Sequence, residues 1–322
     1  MNWQPTATHS TLIKRAKFIA QIRAFFTSRN VLEVETPLLS RNTITDLHLD
    51  PFETHFEYAA EERLARLYLQ TSPEFHMKRL LAAGSGPIFQ ICKAFRNEAA
   101  GTLHNPEFTM LEWYRLGFDD HQLMSELDEL VQLLLNTKPA LKLSYQSVFQ
   151  RFIKIDPLTI TLEQLKQTIT TYSQDDWLQQ ESSRDTLLQW LFSMVIEPQL
   201  GDDITPCFVF DFPATQAALA KINQTNSQVA HRFELYFKGI ELANGYFELQ
   251  DSKEQQCRFI SDNRQREIEG KPQRGADQFL LAALDSGLPS CAGVALGVDR
   301  LFMLAAQLPT ISQALSFDIS NA

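Results

Sequence analysis

Apolar residues near the start of the chain recur at helical spacing. In TLIKRAKFIAQIRAFFTSRN they are Leu12, Ile13, Ala16, Ile19, Ala20, Ile22, Phe25 and Phe26, with Lys and Arg on the other side. Ser10 or Thr11 can cap this helix, and Asn30 can take the left-handed conformation that ends it. VLEVETP then reads as a short strand closed by Pro37, which cannot donate to a ladder. On pattern alone the helix could face a core or a dimer partner. RLYLQTSPEFHMKRLLAAG reads as strand, turn and helix, with Ser72 as cap, Pro73 at the first helical position and Glu74 in the first turn.

PIFQICKAFRNE and EFTMLEWYRLGF follow as strands. HQLMSELDELVQLLLNT, TLEQLKQTITTY and RDTLLQWLFSMVIEPQLG are helical, PCFVFDFP is a strand, and ATQAALAKIN is helix-like. HRFELYFKGIELANGYFEL is strand-rich, DSKEQQCRFISDNRQREIEG and ADQFLLAALDSGL are helices, and GVALGVDRLFMLAAQL is a glycine-punctuated strand running into a helix. Strands do not alternate regularly with helices. The pattern therefore predicts an α+β fold with a largely antiparallel sheet, not a doubly wound parallel one. No repeat, low-complexity tract or linker interrupts it.

Composition narrows this picture. With 322 residues, 44% of them apolar, and 23 Phe, the chain can bury a sizeable core. A formal charge of −10 disfavours a nucleic-acid backbone as the main partner, because phosphate binding is driven by Lys and Arg. Cys92, Cys207, Cys257 and Cys291 are scattered and form no CxxC pair, so they predict reduced thiols and no zinc site. There is neither a signal-like N-terminus nor an apolar run of about 18 residues, so a soluble cytoplasmic protein is expected, with no membrane partner.

Three segments concentrate the candidate chemistry. In FRNEAAGTLHNPEFTMLEWY, strand alternation puts Cys92, Ala94, Arg96 and Glu98 on one face and Phe89, Ile91, Phe95 and Asn97 on the other. On the returning strand Phe108, Met110, Glu112 and Tyr114 share a face, against Thr109, Leu111 and Trp113. Ion-bridged edge strands are the plain reading. The surrounding aromatics favour a partly buried setting, where an unpaired charge is costly, and Arg96 then suits a phosphate while the carboxylates suit an ammonium or a metal. In GIELANGYFEL, a hairpin turn at Asn244-Gly245 would set Glu241 opposite Glu248. Facing carboxylates repel unless a cation such as Mg²⁺ lies between them, although an exposed acidic turn reads equally well. In GVALGVDRL, Gly293 and Gly297 leave room for a flat ligand or for close packing, and Arg300 at a helix start suits an anion. Two arginines, a carboxylate pair and glycine space amount to a nucleoside triphosphate site. The chain has no GxxxxGK[ST], GxSxG or HExxH.

In this order the segments resemble the three motifs of class II aminoacyl-tRNA synthetases: the first helix with VLEVETP, then FRNE…HNPEFTMLEWY, then GVALGVDRL. TSPEFHMKRLL, FRNE, HNPEFTMLE and GIELANGYFEL are similar to the lysyl-tRNA synthetase branch over nearly the whole chain. The resemblance implies one catalytic domain over residues 1–322, an antiparallel sheet flanked by helices, dimerisation through the first motif, and ATP with Mg²⁺. It implies catalytic roles for Arg96 on the α-phosphate, Glu98 at the adenine and Arg300 on the γ-phosphate. Phe108 would stack on the adenine ring, with Asn97, His104, Asn105, Leu242 and Gly297 completing the nucleotide set. Glu241 and Glu248 would hold Mg²⁺. Glu74 would take the substrate amino group and Glu112 with Tyr114 its side-chain ammonium, in a substrate set that includes Ser72, Pro73, Glu248 and Ala295.

Two departures refine the expected acceptor. No anticodon-binding module is expected at either end, and Leu103 stands where synthetases tend to have Arg just before HNPEF. These features and the acidic charge make tRNA an unlikely partner. They resemble the truncated, protein-modifying relatives of lysyl-tRNA synthetase, which implies (R)-β-lysine as amino acid and a lysine of elongation factor P as acceptor. Ala295, where synthetases usually have Gly, is expected to reshape the amino-acid pocket. A minimal synthetase acting on tRNA and a non-catalytic lysine or ATP sensor are the alternatives.

Overall fold

Phe26 shows where the first helix goes. In the computed structural model, which describes residues 3–61 and 65–322, the helix is His9–Thr27. Phe26 stacks on Phe89 with ring centres 4.6 Å apart and meets Trp113 edge-on at 5.2 Å, while Phe18 reaches Phe302 at 5.4 Å. This side of the helix is core, and each buried Phe contributes roughly 1.5–3 kcal/mol. Thr8, not Ser10 or Thr11, is the cap: its hydroxyl accepts the Thr11 amide at 3.1 Å. Asn30 is left-handed as expected, with φ of 54°.

The chain divides into two compact units, Met1–Phe118 with Gln250–Ala322, and Asp119–Leu249. In the first unit, Leu32–Glu33 runs parallel to Ile88–Phe95, which pairs antiparallel with Glu107–Leu116, which in turn pairs antiparallel with Cys291–Gly297. The register realises the predicted alternation. Phe89 opposes Trp113 and Ile91 opposes Leu111 on the helix side, whereas Gln90 opposes Glu112, Cys92 opposes Met110 and Ala94 opposes Phe108 on the other. Regular pairing stops at Phe95, so alternation does not place Arg96 and Glu98 as expected. The Arg96 amide still donates to the Pro106 carbonyl at 2.9 Å, and a loop follows. The short strands Leu39–Ser40 and Glu53–His55 flank Arg66–Leu69 in a small sheet that the pattern did not reveal.

In the second unit Leu141–Ser144 runs parallel to Cys207–Pro213, followed antiparallel by Val229–Phe237 and Ile240–Phe247. Helices Tyr145–Phe152, Leu162–Ile169 and Arg184–Leu191 cover one face, where Tyr145 stacks on Phe192 at 5.4 Å and packs against Phe149 and Phe212. ATQAALAKIN forms only one tight turn, Ala214–Gln216, despite its helical propensity. Ala217 and Ala220 instead bury against Ala230, and two bridges, Ala220 to Glu248 and Ile222 to Ala230, tie the segment to the sheet. Tertiary contact here outweighs local preference.

The second unit also carries a buried charge cluster. Asp120 opens the helix Asp120–Leu135 and its Oδ2 lies 3.2 Å from His231 Nδ1. This hydrogen bond raises the His231 pKa against the opposing effect of burial, with the Asp120 and Asp211 charges adding to the rise and Lys221 subtracting from it. A raised histidine gives stability that is complete below its unfolded value near 6.5 and is lost as pH climbs through the higher folded value. Thermal melting from pH 6 to pH 8.5 is expected to show the second unit losing a few degrees, and His231→Gln to flatten that slope.

Candidate active site

On the sheet face opposite the first helix, Glu112 is a buried charged group, 2% exposed. Its carboxylate accepts the Ser72 hydroxyl at 2.7 Å on Oε2 and the Tyr114 hydroxyl at 2.7 Å on Oε1. Ser72 also accepts the Glu74 amide at 3.0 Å and so ties the start of the helix Glu74–Ala82 to this carboxylate, with Pro73 buried between them. Glu74 Oε1 meets the buried Lys78 at 2.6 Å. Across the sheet Ala295 lies opposite Glu112, Gly293 opposite Tyr114 and Gly297 opposite Met110. Directly paired residues share a face, so the Ala295 methyl borders Glu112 with glycine on either side of it. Ser72, Pro73, Glu74, Glu112, Tyr114 and Ala295 thus come together.

Sequence reasoning passed over a residue here. Gln90 opposes Glu112, is buried, and its Oε1 has no hydrogen-bond partner among the described residues. The alternation that selected Glu112 also selects Gln90. Cys92 shares this face, and its thiol is pushed up to about 12 by burial and by the charge of Glu112, so it stays protonated and unreactive.

Arg96 lies at the end of this face, its guanidinium 5.2 Å from the centre of the Phe108 ring. The Arg96 Nε is buried without a hydrogen-bond partner among the described residues, a donor of the kind an anionic ligand satisfies. Glu98 and Asn97 are exposed in the loop that follows. Arg300, on the helix Val298–Ala305 that Gly297 precedes, closes on the same loop: its Nε donates to the Leu103 carbonyl at 3.2 Å and its Nη2 lies 2.7 Å from His104 Nε2. Burial, then the Arg300 charge, lowers the His104 pKa, which keeps the imidazole neutral and able to accept from the guanidinium. The Asn105 side chain is held within the protein, donating to the Glu107 carbonyl at 2.6 Å and accepting the Ile319 amide at 3.0 Å. The next residue after Gly297 and Val298, Asp299, accepts the Thr109 amide at 2.7 Å and Arg15 at 2.5 Å, and so joins the first helix to the two motif strands.

The second unit corrects the expected hairpin. Asn244 and Gly245 lie inside the strand Ile240–Phe247, and the turn is at Lys238-Gly239, both left-handed with φ of 54° and 67°. Gly245 is there for a different reason: a Cβ would come 2.4 Å from the Phe233 ring. The register pairs Glu241 with Tyr236, and Glu248 lies beyond the strand in its bridge to Ala220, so Glu241 and Glu248 are not cross-strand partners. Glu234 stands on the Glu241 side instead. The Tyr236 hydroxyl donates to its Oε2 and Arg232 meets its Oε1 at 2.5 Å. Burial raises the Glu234 pKa first, Arg232 lowers it, and the Glu241 charge raises it again. Arg232 and Tyr236 hold both Glu234 oxygens, so Arg232 is the cation that offsets this repulsion, and Mg²⁺, which takes carboxylates beside substrate phosphates, is left to the expected Glu241 and Glu248. A bulge between Glu241 and Ala243 takes up the buried Leu242.

Comparison with known proteins shows the family. The family described as "tRNA synthetases class II (D, K and N)" matches residues 1–321. Curated proteins from Klebsiella pneumoniae (strain 342) and Salmonella paratyphi B are each 53% identical over 320 residues, covering 99% of this chain and 98% of their own. Both are named Elongation factor P--(R)-beta-lysine ligase. With its motif strands paired around Glu112 and the match extending over almost every residue, the chain belongs to the class II tRNA synthetase family of the D, K and N type.

Proposed function

We propose that this chain is an ATP-dependent ligase that activates (R)-β-lysine as its adenylate and passes the β-lysyl group to the ε-amine of a lysine on elongation factor P. The observation that carries the reading is the buried Glu112 carboxylate, fixed by Ser72 and Tyr114 and bordered by the Ala295 methyl, in a chain whose relatives bear that ligase name. Both hydroxyls donate to the carboxylate and fix its direction, an arrangement suited to a cationic amino acid.

In the first step an amino-acid carboxylate oxygen attacks the α-phosphorus of ATP, the bond to the β-phosphate breaks, and pyrophosphate leaves. Arg96 holds the α-phosphate and the attacking carboxylate, so its charge stabilises the crowded transition state. Glu98 and Phe108 hold the adenine, with Asn97, His104, Asn105, Leu242 and Gly297 around the nucleotide, and Arg300 takes the γ-phosphate. Glu112 with Tyr114 holds the side-chain ammonium, and Glu74, Glu248 and Ala295 bound the amino group and backbone. Glu241 with Glu248 would hold Mg²⁺, which when bound neutralises phosphate charge. In the second step the acceptor amine attacks the acyl carbonyl and AMP leaves with the electron pair. Leu103, at the loop tip where an arginine would favour RNA, fits a protein acceptor. The enzyme is a cytoplasmic homodimer in this reading. Among the described residues no helix is long and apolar enough to cross a membrane.

Pyrophosphate exchange with (R)-β-lysine, α-lysine and no amino acid tests the first step, and exchange with none of them overturns it. Labelled β-lysine offered to elongation factor P and to tRNA separately tests the second, and label on tRNA alone overturns the acceptor. Ala295→Gly removes the methyl beside Glu112 and is expected to shift the kcat/KM ratio of β- to α-lysine about tenfold toward α-lysine, the scale of a methyl-sized change in a pocket. An unchanged ratio would exclude Ala295 as a selector.

A further inference from the structure

Residues 41–50 of the first unit form a loop whose backbone carbonyls are held by cationic side chains. Arg266, wholly buried on the helix Ser252–Ile268, donates from Nη1 to the Asp46 carbonyl and from Nε to the Pro272 carbonyl, both at 2.8 Å. Lys271 donates to the Leu47 carbonyl at 2.8 Å. Arg274 donates to the carbonyls of Ile44 at 3.2 Å and Leu49 at 2.6 Å. Thr45 adds a hydrogen bond to Asp262 at 2.6 Å. A multi-donor planar cation is suited to this work, because it can satisfy several acceptors in fixed directions.

Both arginines converge on one carboxylate. Asp50 Oδ1 accepts from Arg274 and lies 3.4 Å from Arg266 Nη2. Burial alone would raise the Asp50 pKa, yet the hydrogen bonds and charges of Arg274 and Arg266 hold it below the usual carboxylate value. The carbonyl of the same residue accepts the Asn97 amide at 2.7 Å. Asn97 stands between Arg96 and Glu98, after regular strand pairing has ended at Phe95. The neighbouring amides of Phe95 and Arg96 are held by Gln70 and Pro106, so Asp50 is the next anchor along the chain.

We propose that Asp50 is a positioning residue for nucleotide binding: clamped by Arg266 and Arg274, it sets the Asn97 amide and with it the directions of Arg96 and Glu98. The inference rests on the nucleotide roles proposed above for Arg96 and Glu98. It separates nucleotide handling from amino-acid handling, because Ser72, Glu74, Glu112 and Tyr114 are fixed by bonds that do not pass through the loop. Small displacements of groups that orient reactants have large effects, up to about a hundredfold for 1 Å.

Asp50→Asn keeps the carbonyl and the shape but strands two arginines without their anion. In pyrophosphate exchange its KM for ATP is expected to rise about tenfold, with KM for β-lysine changed by less than about twofold. The double variant Asp50→Asn with Arg274→Met removes one stranded cation but also the donor to Ile44 and Leu49. Its melting temperature is expected to stay below the parent's, because two carbonyls lose their donor, and KM for ATP to stay high. Direct ATP binding by calorimetry should follow the same order. A merely structural Asp50 would lower melting temperature and active fraction with KM for ATP unchanged in both variants, and that result overturns the proposal. Absence of exchange by the unaltered protein would instead overturn the ligase reading.

Discussion

Arg96→Ala is expected to lower β-lysine-dependent pyrophosphate exchange by about a thousandfold while the protein melts within a few degrees of the parent. The size follows from the place of the group: removing one preorganised donor from a developing oxyanion costs about a hundred- to a thousandfold, and Arg96 brings a full charge as well. Tolerance follows from what the side chain touches. It is half-buried, it faces Phe108 and not the Phe26–Phe89–Trp113 core, and its Nε has no hydrogen-bond partner among the described residues. Alanine at this position therefore breaks no hydrogen bond of Nε among the described residues. Arg96→Lys restores the charge but not the planar fork, and recovery of at most about tenfold is expected. Activity of Arg96→Ala within about tenfold of the parent would exclude the α-phosphate role.

The contrast between Arg96 and Glu112 shows what the sequence could and could not reveal. Period-two alternation sorted the strand positions from Phe89 to Phe95 and from Phe108 to Tyr114 correctly, because one face had to meet the aromatic side of the first helix. That constraint ends with the ladder. Beyond Phe95 the chain is held by single bonds to Gln70, Pro106 and Asp50, which depend on residues distant in sequence and leave no local period. The Asn244-Gly245 error has a similar origin. Asn-Gly is the stronger turn signal by composition, but Gly245 is required by the Phe233 ring, and Lys238-Gly239 supplies the left-handed pair at the turn. In ATQAALAKIN, local helical preference was likewise overridden by burial of Ala217 and Ala220. Motif order carried the family because it depends on residue identity, whereas Glu234 and Asp50 emerge only when register and loop contacts are known.

Glu112→Gln is the sharper test of substrate recognition, since it changes one atom and one charge. In the parent, Ser72 and Tyr114 each donate to a different carboxylate oxygen, so neither oxygen is free to turn away. A glutamine must present an NH₂ group to one of those hydroxyls, and that hydroxyl then has to reverse and accept. The network can survive this exchange, because a hydroxyl both donates and accepts. The charge cannot survive it. A hydrogen bond to a charged partner contributes about 1.5–3 kcal/mol, and the buried setting puts the effect at the upper end. The expected result is therefore a fall of about a hundredfold in kcat/KM for β-lysine, carried mainly by KM, with KM for ATP unchanged. Amino acids with a neutral side chain of similar length should lose their disadvantage in the variant, because Glu112 no longer offers a charge for the ammonium to neutralise. Pyrophosphate exchange across that amino-acid series measures both effects. If KM for ATP rose in parallel with KM for β-lysine, Glu112 would be supporting the site as a whole, not reading the ammonium.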